Sequence, residues 1–459
     1  MVIVMKKMIA ICLVLVMLVG LFAACSGDDT PPAAPPANDA GTPAPQPPSG
    51  GTGEVVTLRL WRAAADENRN AWWEETLARF EAEHPGIRVE FLGVPGNPAD
   101  FNQRLDMAVA ANDAPDIIST IVETSFIARG LLEPIDEQFA AWENNHLMNE
   151  RYLDIHRALD FTNSPQRLFA IPHGGSVEIM YVRPDLLAAG GFDAPPQTWD
   201  EFFEMAEATT DFAQGIYGYI IRGGGGSAMA LAIQMYSYSG ITDFFIDGVS
   251  TINDPLNIEF AERFFGGFGR YTAEDDITKG WPEMAAQFQA GHAAMMIHNL
   301  GSAGANYAAF GDDTDVVLAI PYPVSVTGRR LLPAPRATGN MMMASSEHKE
   351  EAWILMQWLA EVEQDSGFHE LMGNLPLNSE ALQASWIQDV SFMRTGAEMM
   401  SDPLTDLIAF PHHLPNFGTI ITTFVEPNIQ NVLLGNMTVE ELLNTWAEML
   451  QEDYDALMG

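Results

Sequence analysis

The sequence predicts an α/β protein of two lobes, because strand and helix patterns alternate, later helices open on capping boxes, and the patterned region is long. From Val55 the apolar periodicity continues to the C-terminus, and about 400 residues exceed what one ordinary core accommodates. Val56, Leu58 and Leu60 alternate with polar or smaller neighbours up to Trp61, the pattern of a first strand. Trp73, Leu77 and Phe80 then follow helical spacing, stopped by His84-Pro85-Gly86. Ile87 to Leu92 predicts a second strand, Phe101, Leu105, Ala108 and Val109 a second helix, and Ile117-Ile118 the opening of a third strand. Thr198 with Glu201 and Thr438 with Glu441 form capping boxes, whose side chains satisfy the free amides of a helix start. Such alternation implies parallel sheets covered by helices. Ligands of open α/β sheets bind beyond the carboxyl ends of strands, which points to the loops after Trp61 and Ile118.

The N-terminus has a different character. Lys6 and Lys7 precede an uncharged apolar stretch from Met8 to Phe22. It is shorter than the roughly 20 residues that span a bilayer, and suits a signal-peptide core. Leu21-Phe22-Ala23-Ala24-Cys25 resembles the bacterial lipobox, with Phe22 where Leu is usual. The resemblance implies a signal peptide over 1–24 and lipid modification of Cys25. The only other cysteine is Cys12, so the folded part has none and is held by burial rather than disulfides. Residues 26–53 carry eight prolines and no aromatic residue. Such a segment cannot bury enough apolar surface to offset its ordering entropy, and 25–53 reads as a lipid-anchored, Pro-rich tether. A formal net charge of −40 argues against nucleic acid as a partner and against a basic grip on anionic lipid. Solubility in a salty or acidic habitat accounts for the charge, and a cationic solute such as a polyamine is the alternative ligand it admits.

Several segments carry a family resemblance. Leu58-Arg59-Leu60-Trp61 precedes a helix and a Pro-Gly turn, and Ala114-Pro115-Asp116-Ile117-Ile118 stands before Gly130-Leu131-Leu132-Glu133-Pro134-Ile135. Leu168-Phe169-Ala170-Ile171-Pro172-His173-Gly174-Gly175 leads into Met180-Tyr181-Val182-Arg183-Pro184-Asp185-Leu186-Leu187 and then Pro196-Gln197-Thr198-Trp199-Asp200-Glu201-Phe202. Phe288-Gln289-Ala290-Gly291-His292-Ala293-Ala294-Met295, Glu347-His348-Lys349-Glu350-Glu351-Ala352-Trp353 and Leu434-Gly435-Asn436-Met437-Thr438-Val439-Glu440-Glu441 follow. In this order the segments resemble the family 1 extracellular solute-binding proteins of ABC importers. The resemblance implies a two-lobed, periplasmic-binding-protein-like fold, each lobe a mainly parallel sheet flanked by helices. Three crossings would join the lobes: near Ile171-Pro172-His173, near Ala319-Ile320-Pro321, and after Gly367. Lobe 1 would hold 54–171 and 321–367, and lobe 2 would hold 172–320 and 368–459. The lobes would close on a small solute and present it, as a lipid-anchored monomer on the outer face of the cytoplasmic membrane, to the importer's permease. No catalytic residue, cofactor or metal is implied.

The same resemblance places candidate ligand contacts. Asp66 and Glu67 follow the first strand, and carboxylates there can accept paired sugar hydroxyls. Thr120 and Glu123 follow the third strand, where sugar-binding members carry an aromatic. His173 and Ser176 stand at the first crossing, with Glu178 just beyond. Asn299 and Ser302 follow the Phe288–Met295 segment, where Gly301 and Ser302 occupy the place of a common Trp. Gly339 and Asn340 match a small-residue turn, and Phe417 is a late aromatic. Trp72, Trp73, Trp199, Trp353 and Trp446 lie in helical segments and read as core. Gly223 to Gly226 lacks the Gly-Lys-Ser/Thr ending of a P-loop and reads as a flexible or a close-approach loop lining the cleft. His412-His413 has no spaced third ligand, and neither Gly-x-Ser-x-Gly nor His-Glu-x-x-His occurs. The missing aromatics favour a neutral ligand of mono- to trisaccharide size over a long glucan. A lipid-anchored carbohydrate-acting enzyme is the reading from another class, and it requires a carboxylate pair across the cleft.

Overall fold

The first strand forms where the alternation places it, and it organises everything N-terminal to residue 172. A computed structural model describes residues 55–458 apart from 97, 162, 175–176, 312–315 and 335–337. The leader, Cys25, the tether and Ser176 therefore lie outside the described residues. Strands β1 (Val56–Arg62), β2 (Ile87–Gly93), β3 (Ile117–Ile121) and β4 (Ala170–Pro172) precede β5 (Glu178–Val182). A short hairpin, β6 (Phe245–Ile246) and β7 (Val249–Ser250), comes before β8 (Met295–Asn299) and β9 (Leu318–Ile320). β10 (Arg330–Ala334), β11 (Thr338–Met342) and β12 (Thr405–Ala409) complete the set among the described residues.

The first sheet has the order β2-β1-β3-β11-β4. β1 runs parallel to β2 and β3, whereas β11 is antiparallel to both β3 and β4. The period-2 pattern of β1 gives the sheet two apolar faces. Leu58 and Leu60 pack with Trp73, Leu77 and Phe80 of the helix Glu67–Glu83. Trp61, pointing the other way, packs with Ile118 and with Phe101 and Leu105 of the helix Pro98–Ala110. Phe80, Phe101, Leu58 and Leu60 are fully buried. Each such side chain contributes about 1.5–3 kcal/mol of transfer free energy.

The second sheet departs from the expected parallel arrangement. Its order is β8-β5-β9, and both pairings are antiparallel. The cause is where the chain enters and leaves. It arrives from β4 at Glu178 and departs after Ile320, and Met180 lies opposite Ile320, so entry and exit share one end of the sheet. A strand that must return to its starting end runs antiparallel, whatever its apolar pattern. β10 pairs in parallel with β12, and β11 carries the chain back into the first sheet.

Around the second sheet lies an aromatic core of Trp199, Phe202, Phe260, Phe264 and Trp446. The helix Trp199–Thr209 opens on the Thr198–Glu201 capping box, and Thr438 and Glu441 make the same reciprocal bonds at the start of the last helix, Val439–Met458. Trp73, Trp199 and Trp446 are buried, and Trp72 and Trp353 pack partly buried against the first core. None of the helices among the described residues is long and apolar enough to cross a membrane.

Candidate functional site

Two cavities take up a few of the residues singled out in the sequence, Glu123 and Phe417 in one and Asn299 in the other. One, of about 260 Å³, lies beyond the carboxyl end of β3 and joins Ile121 and Glu123 to Ile155, Phe410 and Phe417. Glu123 heads the short helix Thr124–Ala128 and accepts a hydrogen bond from Asn102 Nδ2 (3.3 Å). Phe417 is buried in its wall, and His412 sits edge-on to it at 5.2 Å between ring centroids. His413 turns instead to Phe161, at 5.5 Å, so the adjacent histidines face different neighbours.

The other cavity, of about 270 Å³, lies at the end of the second sheet where β5 begins and β8 finishes. Glu178 and Asn299 are register partners there, and both line the cavity with His298, Arg222, Gln234 and Tyr322. Gln234 comes from the helix Ser227–Ser239, whose N-terminus follows the glycine run. Those glycines are needed for close approach: a Cβ at Gly223 would stand 2.5 Å from Ile277 O, and one at Gly224 2.4 Å from Thr278 O. Gly226, in the left-handed region at φ 83°, forms part of the cavity wall and donates its amide to Glu426 Oε1 (2.6 Å).

This second cavity holds unmet polar groups. Gln234 Oε1 and Tyr322 Oη are buried without a hydrogen-bond partner, on residues only 4 % and 1 % exposed. Buried polar atoms in native proteins are nearly always partnered, so two orphans on residues that line one cavity make its wall a candidate place for a ligand once the side chains turn toward it. Burial pushes the Glu178 carboxyl up to about 7, although Arg222 pulls it back. The same burial lowers the Arg222 pKa and, helped by Arg222, holds His298 down at about 4. His298 is thus a neutral ring, with Nδ1 hydrogen-bonded to Ser302. Trp281, the first residue of the helix Trp281–Gln289, lies nearly parallel to that ring at 5.8 Å and is 52 % exposed. A half-exposed tryptophan beside a polar cavity is a stacking face of the kind sugars use.

The other sequence candidates are held elsewhere. Asp66 caps the helix Glu67–Glu83, accepting from the Arg69 amide (2.9 Å) and pairing with Arg69 Nε (3.0 Å). Glu67 is exposed in its first turn. Thr120 and Gly339 are cross-strand partners inside the first sheet, and a Cβ at Gly339 would meet Ile171 O at 2.7 Å. Asn340 is 4 % exposed, between Ser119 and Ile171, with Oδ1 unpartnered. His173 is tied to Ser119 Oγ (3.2 Å) and to the Thr338 carbonyl (3.1 Å), and burial with Arg62 nearby keeps it well below the usual histidine range. Arg62 itself stands over Phe368, its guanidinium carbon 4.6 Å from the ring centre.

Sequence reasoning missed Trp281, Arg222, Gln234 and Tyr322. Arg222 stands directly before the glycine run, and Trp281 directly before Pro282 at a helix start, so both had a local signal. Gln234 sits in a helix that is buried along most of its length and carries none.

Comparison with known proteins agrees with this architecture. Residues 64–365 match the bacterial extracellular solute-binding proteins. A binding protein of Brucella abortus (strain 2308) is 26 % identical over 348 residues, covering 72 % of this chain and 78 % of its own length. The sugar-binding protein MalE from Xanthomonas citri superposes with a TM-score of 0.72 at 16 % identity, over 88 % of this chain and 98 % of that one. UgpB from Mycobacterium tuberculosis, solved with glycerophosphocholine, gives 0.67 at 18 % identity over 89 % and 100 %. These neighbours are two-lobed. The chain belongs to the family of bacterial extracellular solute-binding proteins.

Proposed function

We propose that this protein captures a small sugar or polyol, mono- to trisaccharide in size, between two lobes and presents it to an ABC importer's permease. The observation that carries the reading is the second cavity, with Gln234 Oε1 and Tyr322 Oη unpartnered in its wall and Trp281 beside it. Sugar hydroxyls both donate and accept, so one solute can satisfy both atoms. The size fits as well. A cavity of roughly 150 Å³ holds benzene, so about 270 Å³ encloses one sugar ring or a polyol, any second or third ring extending out of it, and does not enclose a long glucan. Lobe 1 is taken as 54–171 with 321–367 and lobe 2 as 172–320 with 368–459. By these bounds every residue lining the second cavity but Tyr322 falls in lobe 2, so closure requires the solute held there also to touch lobe 1, which raises its affinity for the closed form. Lipid attachment at Cys25, on the outer face of the membrane, and a monomeric state complete the proposal.

A polyamine fits less well, since Arg222 lines the cavity and Glu178, pushed up to about 7, offers an incomplete negative charge. A glycosidase needs two carboxylates flanking the bond, and Glu178 is the one carboxylate among the described residues of this wall. A thermal-shift screen of mono- to trisaccharides, polyols and polyamines tests the reading. A ligand at a hundredfold excess over its Kd stabilises the folded state by about 2.7 kcal/mol. Shifts with a sugar or polyol support the proposal, and a shift confined to polyamines overturns it.

A further inference from the structure

In so acidic a chain, most lysines and arginines among the described residues end in an ion pair, as Arg59 does with Asp113 and Arg329 with Asp406. Arg222 does not. It lines the second cavity, its Nε donates to Gly225 O (2.7 Å), and no carboxylate of the described residues comes within ion-pairing distance. Two acids act on it through space, Glu178 and Glu426. Glu426 accepts the Gly226 amide, and Glu178 shares the cavity wall with its carboxyl pushed up to about 7, so near neutrality a large share of it is protonated. His298 is neutral there. The cavity therefore presents a guanidinium without an ion pair, partly removed from water, on which Glu178 and Glu426 act only from beyond contact. A desolvated charge without a partner is unfavourable, and a bound anion relieves it. Guanidinium offers a planar fork of donors that matches a carboxylate or a phosphate with two parallel hydrogen bonds.

We propose that the solute is an acidic sugar or polyol, whose carboxylate or phosphate is seated on Arg222 while its hydroxyls meet Gln234 and Tyr322. This rests on the sugar or polyol reading above and replaces the expectation of a neutral ligand. Glu178 in its acid form donates its O–H to such a ligand rather than repelling it.

Calorimetry on the mature chain with matched compounds tests the inference: glucose against glucuronate and glucose 6-phosphate, and mannitol against gluconate and mannitol 1-phosphate. The expected result is an acidic member bound at least tenfold more tightly than its neutral parent, the carboxylate and phosphate arms showing which anion fits. Arg222→Met should lower that member's affinity at least tenfold, with Arg222→Lys retaining part of it. Circular dichroism shows whether Arg222→Met folds, and the wild-type selectivity decides the matter if it does not. Neutral parents binding as tightly as their acids, or a folded Arg222→Met that keeps the selectivity, overturns the acidic ligand and leaves the sugar or polyol reading standing. A polyamine binding where no sugar, polyol or acid does overturns both.

Discussion

Replacing Glu178 with Gln gives a stability difference that depends on pH in a calculable way. In the folded chain burial pushes this carboxyl up from 4.5 to about 7. Below pH 4.5 the side chain is protonated in both states, so wild type and Glu178→Gln should be nearly equal. Between 4.5 and 7 the unfolded chain releases the proton while the folded chain retains it, and wild type loses stability as the pH rises. Each pKa unit of difference corresponds to about 1.36 kcal/mol. The full shift would give about 3 kcal/mol, and discounting for partial solvent contact leaves about 2–3 kcal/mol in favour of Gln above pH 7.5. Arg222 acts on Glu178, Tyr181 and Tyr322 are acted on by it, and all three are retained in the variant, so the difference isolates the carboxyl. Urea unfolding of both proteins from pH 4 to 9 measures it. An offset that stays constant across that range would refute the reasoning.

Other expectations concern packing, the loop, the stacking face and the anchor. Gly223→Ala brings a methyl to 2.5 Å from Ile277 O, a backbone atom. It should cost about 1–3 kcal/mol in chemical unfolding and weaken solute binding, because the same loop carries Arg222. Phe260→Ala empties a fully buried position between Trp199 and Phe264 and should destabilise by about 3–5 kcal/mol, read from the urea midpoint. Trp281→Ala should leave stability within about 0.5 kcal/mol, since the ring is half exposed. It should nevertheless raise the calorimetric Kd of the solute by about 2–10-fold through a lost stacking face. Cys25→Ser should abolish incorporation of a fatty-acid probe that labels the wild type.

How much was legible in the sequence depended on whether the signal was local. β1, β2 and β3 and the helices between them fall where alternation and helical spacing place them, because each buries a face that its own period defines. The capping boxes at Thr198 and Thr438 are likewise contained within four residues. The antiparallel second sheet was not legible, since strand direction follows from where the chain enters and leaves a layer. The cavity was half legible. Asn299, Glu178 and the glycine run pointed to it, but Arg222, Gln234 and Tyr322 converge from elements far apart in the chain. Asp66 shows the opposite case: a carboxylate that suited a ligand by position is held by the helix amide and Arg69 beside it.

The most direct test of the central claim is a crystal structure of the protein with the solute that gives the largest thermal shift. The account predicts solute density in the second cavity, one hydroxyl on Gln234 Oε1, another on Tyr322 Oη, and its acidic group on Arg222. Density instead in the Glu123–Phe417 cavity, with Gln234 and Tyr322 still unpartnered, would contradict it.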